Sequence, residues 1–213
     1  MRIISDFDLM RIPVRECNEP LVSLREYCTD IAIDIDFTSK EYQNLGKDEC
    51  YVRESVAIML AKVQSLLPKG YKIKIFDGFR SLSAQQNIYK QVFNELHEKN
   101  PAWSEEQVSA ETDKWVANPS TVPPHSTGGA VDVTLAYGDD EVDMGTEKNS
   151  ISPQAATFSK GILNGAKKNR KILIKIMKSV GFTNYPLEWW HWSYGDRMWA
   201  HYAKKPYGIY DGC

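Results

Sequence analysis

A marked excess of charge of either sign is missing from this 213-residue chain, in which 26 Lys and Arg face 28 Asp and Glu for a net charge of −2. A chain without a basic field is a poor match for nucleic acid as its main partner. Long apolar runs are missing too. The most apolar helical stretch, around Ile172–Met177, is interrupted by Lys171, Lys175 and Lys178, so no segment reads as a membrane span. The four cysteines (Cys17, Cys28, Cys50 and Cys213) form no CxxC pair and are too few for a disulfide scaffold. They read as free thiols of a reducing compartment. The first eight residues lack the apolar core of a signal peptide, which points to the cytoplasm; a removed export signal would instead place the protein in the periplasm. Repeats and low-complexity tracts are absent as well, and apolar and charged fractions of 42% and 25% are those of a globular chain. The expectation is one domain over 1–213.

What is present is patterned. Ile31, Ile33 and Ile35 alternate with Ala32, Asp34 and Asp36, the period of a half-buried strand over 30–37. Asp34 and Asp36 read as solvated carboxylates of its polar face. Val52, Val56, Leu60, Val63 and Leu67 recur at helical spacing until Pro68-Lys69-Gly70 stops the run. A strand over 71–76 delivers Asp77-Gly78-Phe79-Arg80 to a loop. Ser83 with Gln86, and Ser104 with Gln107, carry the capping-box signature of two helices, the second ended by Asn118-Pro119. Val131, Val133 and Leu135 would face the core and leave Ala130, Asp132 and Thr134 on the opposite, cleft side. Residues 138–150 read as a mobile acidic loop. The 165–179 segment reads as a lysine-rich amphipathic helix with Ile172, Ile176 and Val180 on one side, closed by Gly181. A strand over 187–194 ends the pattern. Interleaved helices and strands without a βαβ rhythm predict an α+β domain: a central antiparallel sheet flanked by helices, with a site in a cleft.

Chemistry concentrates in three short segments. Glu188-Trp189-Trp190-His191 sets a carboxylate and an imidazole among aromatics that exclude water. A regular strand would place Glu188 and His191 on opposite faces, so a bulge or twist must re-aim one of them. His125 and Asp132 flank a Gly-Gly pair that lets the backbone fold back, which suits either a metal site or a hydrogen-bonded His–Asp pair. Arg80 suits either an ion pair or a fixed charge for an oxyanion. His97 and His201 read as structural, and the tryptophans as packing.

Together these segments resemble the zinc-dependent D-alanyl-D-alanine dipeptidases of the vancomycin-resistance type, within the wider D,D-carboxypeptidase group. That group carries Ser-x-His-x-x-Gly-x-Ala-x-Asp and Glu-x-x-His motifs, matched here from His125 to Asp132 and from Glu188 to His191. The dipeptidases add a segment like Asp-Gly-Tyr-Arg-Pro, matched by Asp77-Gly78-Phe79-Arg80-Ser81. The resemblance implies one zinc held by His125, Asp132 and His191, Glu188 as base, Arg80 polarising the scissile carbonyl, and a small dipeptide as substrate. Pro123 stands where the family has serine, and Phe79 and Ser81 replace tyrosine and proline; these departures bear on substrate choice. The alternatives are a carboxypeptidase or endopeptidase acting on peptidoglycan stems, and a non-catalytic zinc module such as the similar domain of hedgehog signalling proteins. The long segments 97–123 and 136–165, which could cap a cleft, favour small substrates.

Overall fold

The computed structural model describes residues 3–35, 49–114, 116–150 and 152–213. In chain order the elements are α1 (Asp6–Leu9), β1 (Leu21–Ser23), α2 (Leu24–Tyr27), β2 (Ala32–Ile33), β3 (Tyr51–Arg53), α3 (Glu54–Leu66), β4 (Tyr71–Asp77), α4 (Leu82–Lys99) and α5 (Glu105–Thr112). Then come β5 (Ala130–Tyr137), β6 (Asp140–Glu141), α6 (Asn164–Val180), β7 (Thr183–Asn184), β8 (His191–Ser193) and α7 (Arg197–Tyr202). Among the described residues, the main sheet runs β2-β4-β5-β8-β7, with β6 pairing β5 beyond it, and β1 and β3 form a separate ladder. The α+β arrangement follows expectation. Among the described strands of this sheet, β2–β4 is the parallel pair, and β4–β5, β5–β6, β5–β8 and β7–β8 are antiparallel.

The core lies where the alternation and the helical spacing meet. Val131, Val133 and Leu135 of β5, Ile73 and Ile75 of β4, and Val56, Leu60 and Val63 of α3 are fully buried. Several local details differ from the sequence reading. Val52 belongs to β3, paired with Val22, and α3 begins only at Glu54. Ser81, not Ser83, caps α4 by accepting from the Ala84 amide at 3.1 Å. The Ser104–Gln107 capping box is formed, but α5 stops at Thr112, well before Pro119. The expected 30–37 strand pairs only over Ala32–Ile33. Asp34 meets Lys74 at 2.7 Å, a solvated ion pair, while Asp36 and Phe37 lie outside the described residues.

On α6 the buried stripe is Ala166, Arg170, Leu173 and Met177, one position away from the expected isoleucine face, which is only half-buried. Arg170 explains the rotation. Its guanidinium donates to the carbonyls of Met144 (2.7 Å), Ala156 (2.7 Å) and Gln154 (3.0 Å). Its bond to Met144 ties the 138–150 segment, expected to be a mobile loop, to α6, with help from Asn169 Nδ2 on the Asp143 carbonyl at 2.8 Å. Arg170→Met would leave three carbonyls without their donor, each buried polar group left unpaired costing about 1–3 kcal/mol. The expected loss is about 3 kcal/mol of stability, read as a lower urea midpoint at unchanged slope. A loss below about 1 kcal/mol would mean that water takes over the three carbonyls.

Candidate metal centre

Three adjacent strands place the site. Asp77 of β4 is the cross-strand partner of Asp132 on β5, and Asp132 is the partner of His191 on β8. These residues lie far apart in sequence and stand in one row across the sheet. His125 joins from a 3-10 turn, Pro124–Thr127, that enters β5 through Gly128 and Gly129. Gly128 has φ +70°, and a Cβ there would meet Leu21 Cδ2 at 2.4 Å; one on Gly129 would meet the Tyr194 carbonyl at 2.4 Å. The Gly-Gly pair therefore meets two needs, a left-handed turn and a close approach to β8. Arg53 pins the same turn, its Nε donating to the Thr127 carbonyl at 2.8 Å and its amide to the Gly128 carbonyl at 2.9 Å.

The three side chains converge. His125 Nε2 lies 3.2 Å from His191 Nδ1 and 3.4 Å from Asp132 Oδ1, and His191 Nδ1 lies 2.9 Å from the same oxygen. Ligand-capable atoms of all three lie within 4.8 Å of one another, and all three residues are buried. His125 Nδ1 donates outward to the Gly78 carbonyl at 2.8 Å, which leaves Nε2 to present a lone pair inward. The site's field calls for positive charge. Burial alone would depress the His125 pKa, but the Asp132 and Asp77 carboxylates outweigh it and raise it to about 9. Burial pushes the Asp132 carboxyl up, yet His125 and His191 beside it hold it below the usual carboxylate range. A buried cluster of two imidazoles and a carboxylate that favours added positive charge fits a divalent cation of zinc type.

Glu188 stands outside this triad. It is not on β8 but in the turn before it: its amide donates to the Tyr185 carbonyl at 3.1 Å, and the His191 amide donates to its carbonyl at 3.4 Å. The turn, rather than a bulge, re-aims the carboxylate. Burial raises its pKa, and the charges of His191, Asp132, His125 and Arg80 act on it. Trp189, Trp190 and Trp192 are all buried and hold the turn from beneath, Trp192 Nε1 donating to the Trp189 carbonyl at 3.2 Å. Arg80 makes the expected ion pair. It pairs with Asp77, donates to Gln85 Oε1 at 2.9 Å, and its amide donates to the His125 carbonyl at 3.1 Å. His97 and His201 lie outside the cluster, against Phe93 and Tyr202.

A family model described as D-ala-D-ala dipeptidase matches residues 18–207. The chain belongs to that peptidase family. A D-alanyl-D-alanine dipeptidase of Synechocystis sp. is 27% identical over 219 residues, covering 90% of this chain and 88% of that protein. One of Enterococcus faecalis is 30% identical over 162 residues, covering 73% of this chain and 79% of that protein. Among solved structures, VanYB in complex with D-Alanine-D-Alanine aligns at 18% identity and a TM-score of 0.45, over 73% of this chain and 79% of that one.

In this dipeptidase-family chain, sequence reasoning missed Arg53 and Asp77 as supports of the site. Asp77 was in view only as part of the Arg80 segment, and nothing local marks Arg53, whose partners Glu19 and Thr127 lie 34 and 74 residues away. A cavity of about 680 Å³ opens beside Thr134 and Trp189, neighbours of Asp132 and Glu188 along the chain. Thr134 shares its strand face with Asp132, and that face is as buried as the Val131 face. None of Arg80, His125, Asp132, Glu188 and His191 lines that cavity.

Proposed function

We propose that this peptidase hydrolyses D-Ala-D-Ala or a closely related D-amino-acid dipeptide, with one zinc held by His125, Asp132 and His191. The observation that carries the reading is the buried convergence of those three donors, whose charges act on a carboxylate that is not one of them. Two imidazoles and one carboxylate leave a coordination position open, the mark of a catalytic rather than a structural centre. When bound, zinc supplies Lewis acidity and a fall in the pKa of water toward about 7. Glu188 takes the proton of the attacking water and returns it to the departing amine. A carboxyl whose pKa is raised by burial is better matched to that two-way transfer than an ordinary glutamate. Arg80, oriented by Asp77 and Gln85, places a fixed positive charge beside the carbonyl oxygen as negative charge develops there. The substrate is that named for the curated relatives.

Arg80→Ala is expected to lower turnover by about 10²–10³-fold, the usual effect of removing an oxyanion donor. Arg80→Lys should recover part of this, since it keeps the charge and loses the fork. Near-normal turnover in the alanine variant would leave Arg80 with the Asp77 ion pair as its whole role.

A second reading is cleavage of longer peptidoglycan stems; the cavity of about 680 Å³ beside Thr134 does not favour it, because Arg80, His125, Asp132, Glu188 and His191 are not among its lining residues. Zinc-loaded protein incubated with D-Ala-D-Ala, L-Ala-L-Ala and a stem pentapeptide separates the two by amine release. Preference for D-Ala-D-Ala supports the dipeptidase. Faster cleavage of the pentapeptide supports the second reading. Stoichiometric zinc with no hydrolysis of any of them would leave a binding module.

A further inference from the structure

The His125 outward nitrogen is satisfied by the Gly78 carbonyl, but His191 has no such carbonyl behind it. With His191 Nδ1 turned toward Asp132 and His125, its ring proton belongs on Nε2, and the neighbour there is Ser193 Oγ at 3.4 Å. Ser193 is completely buried, two residues along β8. A hydroxyl that accepts from an imidazole still has its own proton to place. Past Ser193 the chain turns at Gly195, which has φ +79° and where a Cβ would strike the Tyr210 ring at 2.3 Å. That turn brings Asp196, 1% exposed, back beneath the strand. Asp196 Oδ1 caps α7 by accepting from the Trp199 amide at 2.7 Å, while Oδ2 is buried without a hydrogen-bond partner of its own. Burial raises the Asp196 pKa, opposed first by the Trp199 amide and then by the Ser193 hydroxyl and the charges of His191 and His125, which places Ser193 and the two imidazoles on the side of that carboxylate.

We propose that Ser193 and Asp196 form a positioning relay behind the metal site. His191 Nε2–H donates to Ser193 Oγ, and the Ser193 hydroxyl donates to the free oxygen of Asp196, fixing the His191 tautomer and ring orientation. Neither residue touches the substrate or the ion. A buried carboxylate two bonds removed makes the imidazole a stronger donor to a cation, as outer hydrogen-bond partners of metal-binding histidines generally do. The relay also accounts for the otherwise costly burial of an Asp196 oxygen with no partner. One residue thereby serves two elements: Oδ1 starts α7 and Oδ2 steadies β8.

The relay rests on His191 being a zinc ligand, and the test keeps the two ideas apart. Zinc dissociation constants are measured on metal-stripped protein by competition with a chromophoric chelator, for the parent, Ser193→Ala, Asp196→Asn, the double variant and His191→Ala. Asparagine is as good a helix cap as aspartate, so Asp196→Asn keeps the start of α7 and removes only the charge. Unchanged melting of the stripped variant checks this. Both single variants should bind zinc about 10–100-fold more weakly, the usual cost of losing such an outer partner. The double variant should be no worse than the weaker single, because two members of one chain couple rather than add. Affinities within about twofold of the parent for both single variants, or losses that multiply in the double, would overturn the relay while leaving the zinc site standing. Full zinc binding by His191→Ala would overturn both.

Discussion

Glu188→Gln is expected to retain the fold and the zinc while hydrolysis falls by about 10²–10⁴-fold, the range that general acid–base catalysis spans. The structure separates its two possible roles cleanly. The three donors that converge are His125, Asp132 and His191, and Glu188 is not among them. Its position is set by backbone, not by its side chain: the Asn184 amide group donates to the Glu188 carbonyl at 2.9 Å, and the Glu188 amide donates to Tyr185. Glutamine keeps nearly the same volume in that turn, so the tryptophans that hold it have no reason to move. What it loses is the ability to accept a proton, and with it the transfer from water to the departing amine. Glu188→Ala should fail to a similar degree and serves as the control for shape. The measurements are turnover by amine release and metal content by elemental analysis. Loss of zinc in both variants would make Glu188 a ligand. Turnover within about threefold of the parent would falsify its role as base.

Much of the fold was legible because it is written locally. Alternation placed β4 and β5, three-and-four spacing placed α3, and the Ser104–Gln107 pair placed the start of α5 within its first turn. The failures share one cause, a residue whose place is set by tertiary partners. Val52 continues the helical spacing of α3, yet it pairs with Val22 across a ladder that no local pattern announces. Arg170 is marked by no local pattern, yet three carbonyls from the 144–156 segment draw it inward and rotate α6 with it. Propensity is a weak prior that such contacts override.

The site was legible differently. His125 and Asp132 are joined by a Gly-Gly turn, and Glu188 and His191 by a short aromatic segment, so each pair could be seen in the chain. That the pairs meet depends on β4, β5 and β8 lying side by side in register, with Asp77, Asp132 and His191 in one row. Register between distant strands is not encoded in any short window. The supports were harder still to see. Arg53, Ser193 and Asp196 are common residue types at unremarkable spacings, and only burial with specific partners distinguishes them.

Metal removal should have the largest effect of all, because it withdraws the charge around which the site is arranged. Chelator-treated protein is expected to lose hydrolysis to the assay floor and regain it when zinc is restored. The folded protein should register the ion as well. A ligand that binds only the native state stabilises it by about 4 kcal/mol at a thousandfold excess over its dissociation constant, so zinc should raise the melting temperature of the stripped protein. His125 Nε2, His191 Nδ1 and Asp132 Oδ1 lie within 3.4 Å of one another, close enough for one cation to draw on all three. His191→Ala removes one of the two imidazoles and should abolish both the activity and the zinc-dependent rise in melting temperature. The variant's own stability without zinc should change less, since a site of converging donors is not what holds the sheet together; the buried β4, β5 and α3 side chains do that. Stoichiometric zinc in a His125→Ala, His191→Ala double variant would move the metal to another site. A stripped protein that hydrolyses D-Ala-D-Ala at the parent rate would remove metal from the reaction altogether.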